Sequence, residues 1–159
     1  MNTFKVGDRV KTWMGHSGDV EEIRTDGKIK PLVVLVDTMP DGRRIKHPIC
    51  QFYHFDQVEI VEVETIELSG EPYRLGADLA VTMGTNSKCL PVVTTTVVSR
   101  KAGQLFVDCG SFDMVADDLT GYYLATPANM ARLKKAARDA IKDWNDATER
   151  QIAEIRKAN

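Results

Sequence analysis

The chain has 159 residues, a net charge of −2, 43% hydrophobic and 28% charged residues, which suits one soluble domain or two small ones. No run of 18 apolar residues occurs, so no membrane-spanning helix is expected. The near-neutral balance is not by itself the footprint of a nucleic-acid binder.

The N-terminus, MNTFKVGDR, shows no apolar signal region. Cys50, Cys89 and Cys109 are odd in number, far apart and outside any CxxC pair. They argue against a disulfide framework or a structural zinc site and for a reducing compartment, so a cytosolic location is expected. Charge is unevenly spread. Residues 1–60 carry nine basic and nine acidic groups, residues 61–125 four against nine, and residues 126–159 eight against five. The acidic middle would repel a phosphate backbone, which leaves the first segment and the tail as the places able to meet one.

The first 63 residues read as short strands separated by turns. Phe4 to Trp13 and Val20 to Arg24 are strand candidates on either side of Gly15-His16-Ser17-Gly18. TDGK at 25–28 carries an Asp-Gly turn signal, and MPDGRR at 39–44 carries a second turn with Pro40 ahead of Asp-Gly. Between them PLVVLVD, 31–37, is a β-branched run expected to be buried on both faces. DQVEIVEVETIEL, 56–68, alternates apolar residues with glutamates and predicts one half-exposed strand, with Glu62, Glu64 and Glu67 on its solvent side. Strands at about ten-residue spacing suggest a small barrel or sandwich.

Val6, Gly7, Asp8, Val10, Gly15, Gly18, Val20 and Ile23, followed by VVLVD…DG and F…DQVEIVE, resemble an SH3-like small barrel of the KOW and Tudor-like group over about residues 3–63. The resemblance implies a fold. It does not imply one task, because such barrels host many.

Residues 70–125 hold another series. YRLGADLAVTMG repeats the look of the opening, LPVVTTTVVSR at 90–100 is strongly β-prone, and KAGQ at 101–104 makes a turn. Gly70 and Pro72 in LSGEP mark the boundary between the two halves. From Thr126 the pattern becomes helical, with a capping hydroxyl, Pro127 at the first helical position, and no glycine or proline afterwards. Met130, Leu133, Ala137, Ile141, Trp144, Thr148, Ile152 and Ile155 fall at steps of three and four on one face. A helix of some 30 residues spans roughly 45 Å, so part of it projects or pairs with a second copy. The heptad is loose, since Gln151 occupies a position that a strict repeat would keep apolar.

The expected architecture is mainly β with a C-terminal helix. It comprises two SH3-like small barrels, or one larger β-sandwich, followed by a long amphipathic helix. The boundaries are 1–68, 69–125 and 126–159.

Candidate sites compete with plainer readings. The Gly15–Gly18 turn lacks the lysine and following helix of a phosphate loop, so it reads as a barrel corner that presents Trp13 and His16. Arg43, Arg44, Lys46 and His47 stand near Trp13, Phe52, Tyr53 and His54 in sequence. Basic groups interleaved with aromatics suit single-stranded nucleic acid, while Asp37, Asp41 and Asp56 weaken that field. His47, Cys50 and His54 lack a fourth metal ligand at usual spacing, and Cys89 and Cys109 read as small core residues. Asp113, Asp117 and Asp118 lack calcium-loop spacing.

No cofactor and no metal are expected. The leading expectation is a non-catalytic binding or regulatory protein acting by protein–protein contact, in the style of a bacterial or bacteriophage accessory protein. Its partner-binding residues would be Trp13, His16, Arg43, Arg44, Lys46, His47 and Tyr53. Self-association into a homo-oligomer would use Met130, Leu133, Ala137, Ile141, Trp144, Ile152 and Ile155. The alternatives are nucleic-acid binding by the first barrel, and a small hydrolase or transferase using His16, His47 or Cys50.

Overall fold

In a computed structural model that describes residues 3–27, 29–108 and 112–158, the chain is mostly β-strand and ends in one long helix. It divides into two compact units, Met1–Val63 and Glu64–Asn159. Every sheet lies within one unit, and none of the four closes into a ring among the described residues.

The first unit is an antiparallel meander of β1 (Arg9–Thr12), β2 (Ser17–Ile23), β3 (Leu32–Thr38), β4 (Arg44–Tyr53) and β5 (Val58–Ile60), in the order β4-β3-β2-β1-β5. Its first strand pairs with both the second and the last. The apolar run predicted at 31–37 becomes β3, and all its residues from Leu32 to Asp37 are buried except Leu35, which is half-buried. Val10, Val20, Leu32, Val34 and Val36 form the centre of the core, with Phe4, Tyr53 and Val58 around them. Gly18 is forced by the close approach of β2 to β3, since a Cβ there would collide with the carbonyl of Leu35. At the Met39–Arg43 turn the Met39 N–H donates to the Arg43 carbonyl, and Gly42 takes φ +85°, as the Asp-Gly signal requires.

A buried ion network crosses this sheet. Arg9 on β1 donates to both carboxylate oxygens of Asp37 on β3, at 2.6 and 2.8 Å, to Asp19 on β2 at 3.2 Å, and to the Thr38 hydroxyl at 3.0 Å. Arg44 on β4 joins Asp37 at 3.1 Å. Burial alone would lower the Arg9 pKa, but the hydrogen bonds and charge of Asp37, then Asp19, outweigh it and hold the group above its ordinary value.

The second unit is built from β6 (Thr65–Leu68) with β7 (Glu71–Arg74), β13 (Tyr122–Leu124) with β8 (Ala80–Thr85) and β9 (Pro91–Thr96), and β10 (Val98–Lys101) with β11 (Gln104–Asp108) and β12 (Asp113–Val115). Its core gathers Leu68, Tyr73, Leu75, Ala80, Val98 and Val107. Tyr73 is fully buried, and its hydroxyl donates to the Asp78 carbonyl at 2.6 Å and accepts the Val98 N–H at 2.9 Å. Helix α1 (Pro127–Ala158) starts where Thr126 and Pro127 place it. The Thr126 hydroxyl accepts the Asn129 N–H at 3.1 Å, while the Asn129 amide donates to Glu71 and to the Leu124 carbonyl. Leu133 and Ala137 bury against β8 and β9.

Two long predicted strands are each divided. Residues 56–68 split into β5 and β6, which belong to different units, so Glu62, Glu64 and Glu67 do not share one strand; Glu64 instead pairs with Arg100 at 2.9 Å. Residues 90–100 split at Val97, where the chain leaves the β8 sheet for the β11 sheet. Cys89 is not a core residue: it is exposed at φ +58° in a turn held by the Asn86 side chain. Cys109 lies outside the described residues.

Removing Asp37 strands a buried guanidinium. Asp37→Ala should cost the first unit about 3–5 kcal/mol, read by urea unfolding, and Arg9→Met with Asp37→Leu should recover most of it. Tyr73→Phe leaves the Val98 N–H and the Asp78 carbonyl without the hydroxyl and should cost about 1–3 kcal/mol in the same assay.

Candidate functional site

Four segments of the first unit surround an open cleft of about 840 Å³. The β1–β2 turn contributes Trp13 and Met14, and the β2–β3 connection contributes Arg24, Gly27, Ile29 and Lys30. The end of β4 contributes Cys50 to Tyr53, and the single-turn 3-10 helix Phe55–Gln57 contributes Gln57.

The walls are held by backbone bonds. The Trp13 N–H donates to the Gln57 carbonyl at 2.9 Å, which fixes the first turn against the 3-10 helix. The Gln57 side chain accepts the His54 N–H at 3.0 Å and caps that helix. The Arg24 N–H donates to the Pro31 carbonyl at 2.7 Å and closes the neck of the β2–β3 connection. Gly15 takes φ +86°, and a Cβ on it would stand 3.1 Å from the Pro40 side chain, so the β1–β2 and β3–β4 turns rest on each other.

The lining is apolar and exposed: Trp13 is 70%, Ile29 80%, Met14 55% and Phe52 45% accessible. The Arg24 guanidinium lies 4.7 Å from the centre of the Phe52 ring, and Glu22 pairs with it at 3.4 Å. Tyr53 is buried at the base, and its hydroxyl donates to Gln51. Burial pushes its phenol above the ordinary tyrosine value. A second, smaller hollow of about 500 Å³ shares Trp13, Met14 and Gln57 with the first and adds Lys11, Asp56 and Glu59.

Of the residues singled out in the sequence, Trp13, Cys50, Phe52 and Tyr53 line the cleft, and His16, Arg43, Arg44, Lys46, His47 and His54 do not. His16 is half-buried in the β1–β2 turn. Arg43 is exposed on the β3–β4 turn with its guanidinium on Asp41 at 2.7 Å, and Arg44 is drawn to Asp37 in the buried network. Lys46 and His47 are exposed on β4, and seven residues of that strand separate Arg44 from Phe52. Cys50 reaches the cleft without His16 or His47. Among the described residues, no three His, Cys, Asp or Glu side chains gather to hold a metal. Met14, Arg24, Ile29, Lys30 and Gln57 were missed; the one visible signal was Ile29, an isolated apolar residue in the polar stretch TDGKIK.

In α1, Leu133 and Ala137 are buried, Met130 and Ile141 are half-buried, and Trp144, Ile152 and Ile155 are exposed. No helix among the described residues is long and apolar enough to cross a membrane. No protein-family model, curated protein or solved structure matches the chain, so the site is read from its own geometry.

The Tyr53 shift has a definite sign. The folded unit holds the phenolic proton more tightly than the unfolded chain. The stability this represents is therefore complete below the ordinary tyrosine pKa near 10 and falls as pH rises through the raised value. Ultraviolet titration should show tyrosine ionisation above the ordinary value, and Tyr53→Phe should reduce the absorbance change in that range by one tyrosine.

Proposed function

We propose that this protein is a non-catalytic binding protein whose first unit, an SH3-like module of the KOW and Tudor-like kind, grips an extended segment of a partner protein in the Trp13–Phe52 cleft. One observation carries the reading: Trp13, Met14, Ile29 and Phe52 stand exposed around a single concave surface. A contiguous apolar patch of this kind costs solubility unless something docks on it. Aromatic side chains gain most from such docking, because they bury large areas with few rotors to freeze. The antiparallel meander, with β1 paired to both β2 and β5, supports the likeness to a small barrel.

Charge favours a protein segment over nucleic acid. Arg43 and Arg44 are compensated by Asp41 and Asp37, and neither lines the cleft. Arg24 is shared with Glu22, and Asp56 and Glu59 flank the adjoining hollow, where they would repel phosphates.

Panning a random peptide library on the full chain should select apolar or aromatic motifs. Trp13→Ala and Phe52→Ala should each weaken a selected peptide at least about tenfold by fluorescence anisotropy. Lys46→Ala with His47→Ala should change affinity less than about twofold. Failure to select peptides, or oligonucleotide binding that falls steeply with salt and is blunted by Arg43→Ala with Lys46→Ala, would overturn the proposal.

A further inference from the structure

The apolar positions of α1 follow an eleven-residue rule rather than a heptad. Steps of three, four and four place Met130, Ile141 and Ile152 in register, then Leu133, Trp144 and Ile155, then Ala137 and Thr148. Eleven residues over three turns give 3.67 per turn, close to the 3.6 of a straight helix, so the stripe stays on one face. Gln151 therefore breaks no repeat. The unit's own sheet covers the first block through Leu133 and Ala137. Beyond it the stripe is bare, with Trp144 at 61%, Ile152 at 43% and Ile155 at 62% exposure.

Charge identifies what covers the bare part. Residues 141–149 contain Lys142 against Asp143, Asp146 and Glu149, a net of −2; residues 150–158 contain Arg150, Arg156 and Lys157 against Glu154, a net of +2. Two copies laid parallel would set like charge on like. Laid antiparallel, each acidic half meets a basic half.

We propose that residues 141–158 pair with the same segment of a second copy, antiparallel, over about 27 Å of helix. The register that sets Trp144 against Ile155 of the second copy also sets Ile152 against its Ala147 and Ile141 against its Ala158, so both of those isoleucines meet an alanine. The contact is two-fold symmetric and closes on itself, which gives a dimer and no larger array.

Sedimentation velocity of the full chain across a concentration series tests this. The wild type should form a concentration-dependent dimer. Trp144→Ser removes only an exposed side chain, so the fold should persist by circular dichroism while the dimer is lost. Arg156→Glu with Lys157→Glu makes both halves acidic and should weaken association at least about tenfold. Adding Asp143→Lys and Asp146→Lys to that variant exchanges the signs of the halves and should restore the dimer. A parallel pair could not show this rescue. A monomeric wild type at hundreds of micromolar, a Trp144→Ser protein that still dimerises, or a four-substitution variant without recovery would each overturn the proposal.

Discussion

The guanidinium of Arg9 lies inside the N-terminal sheet, where an unpaired charge would cost several kcal/mol, and residues of β2 and β3 supply its acceptors. Asp37 accepts from it with both oxygens, Asp19 and Thr38 take its remaining reach, and Arg44 shares the carboxylate. Because the bidentate geometry tolerates little displacement, β1 and β3 must hold one offset across β2. A slip of one residue would turn Asp37 to the other face and leave Arg9 stranded. That offset places the β1–β2 turn, and with it Trp13, over the end of β4. Buried ion networks are often no more stabilising than well-packed apolar groups of the same volume, so the weight of this one falls on the register that its bidentate pair requires.

Among the described residues, the core of the second unit is apolar and is cross-linked by a tyrosine. Tyr73 fills the centre with a ring, and its hydroxyl bridges the Asp78 carbonyl to the Val98 amide. Val98 opens β10, the first residue after the chain has changed sheets at Val97. The Tyr73 hydroxyl is thus bonded where the chain turns from one small sheet into another. Small sheets bury little on their own, so such cross-links matter more here than they would in one broad sheet.

Features set by local chemistry were legible in the sequence. Pro40-Asp41-Gly42 specified its turn, and Thr126-Pro127 specified the helix start, because the dihedrals and caps involved belong to those residues alone. Residues 56–68 and 90–100 read as single strands because neither break, between Ile60 and Thr65 or at Val97, is marked by a glycine or proline. A period of two says which way side chains point and says nothing about which strand lies alongside. The cleft was half legible for the same reason. Trp13 and Tyr53 announced themselves by type, whereas Arg24, Ile29 and Lys30 join them through the path of a connection that no local signal dictates. In the sequence Asp37 reads as one of several charges that weaken the basic patch, and the β3–β4 hairpin makes it a direct partner of Arg44 at 3.1 Å.

The contact between Gly15 and Pro40 makes the β3–β4 turn a strut for the β1–β2 turn. The loop that carries Trp13 is therefore seated before any ligand arrives, and a ligand need not supply the free energy of ordering it. A larger residue at position 15, or a less rigid one at position 40, would reach the binding surface from outside it. It would act as a loss of readiness, slowing productive encounter while every contact to the ligand remained chemically intact.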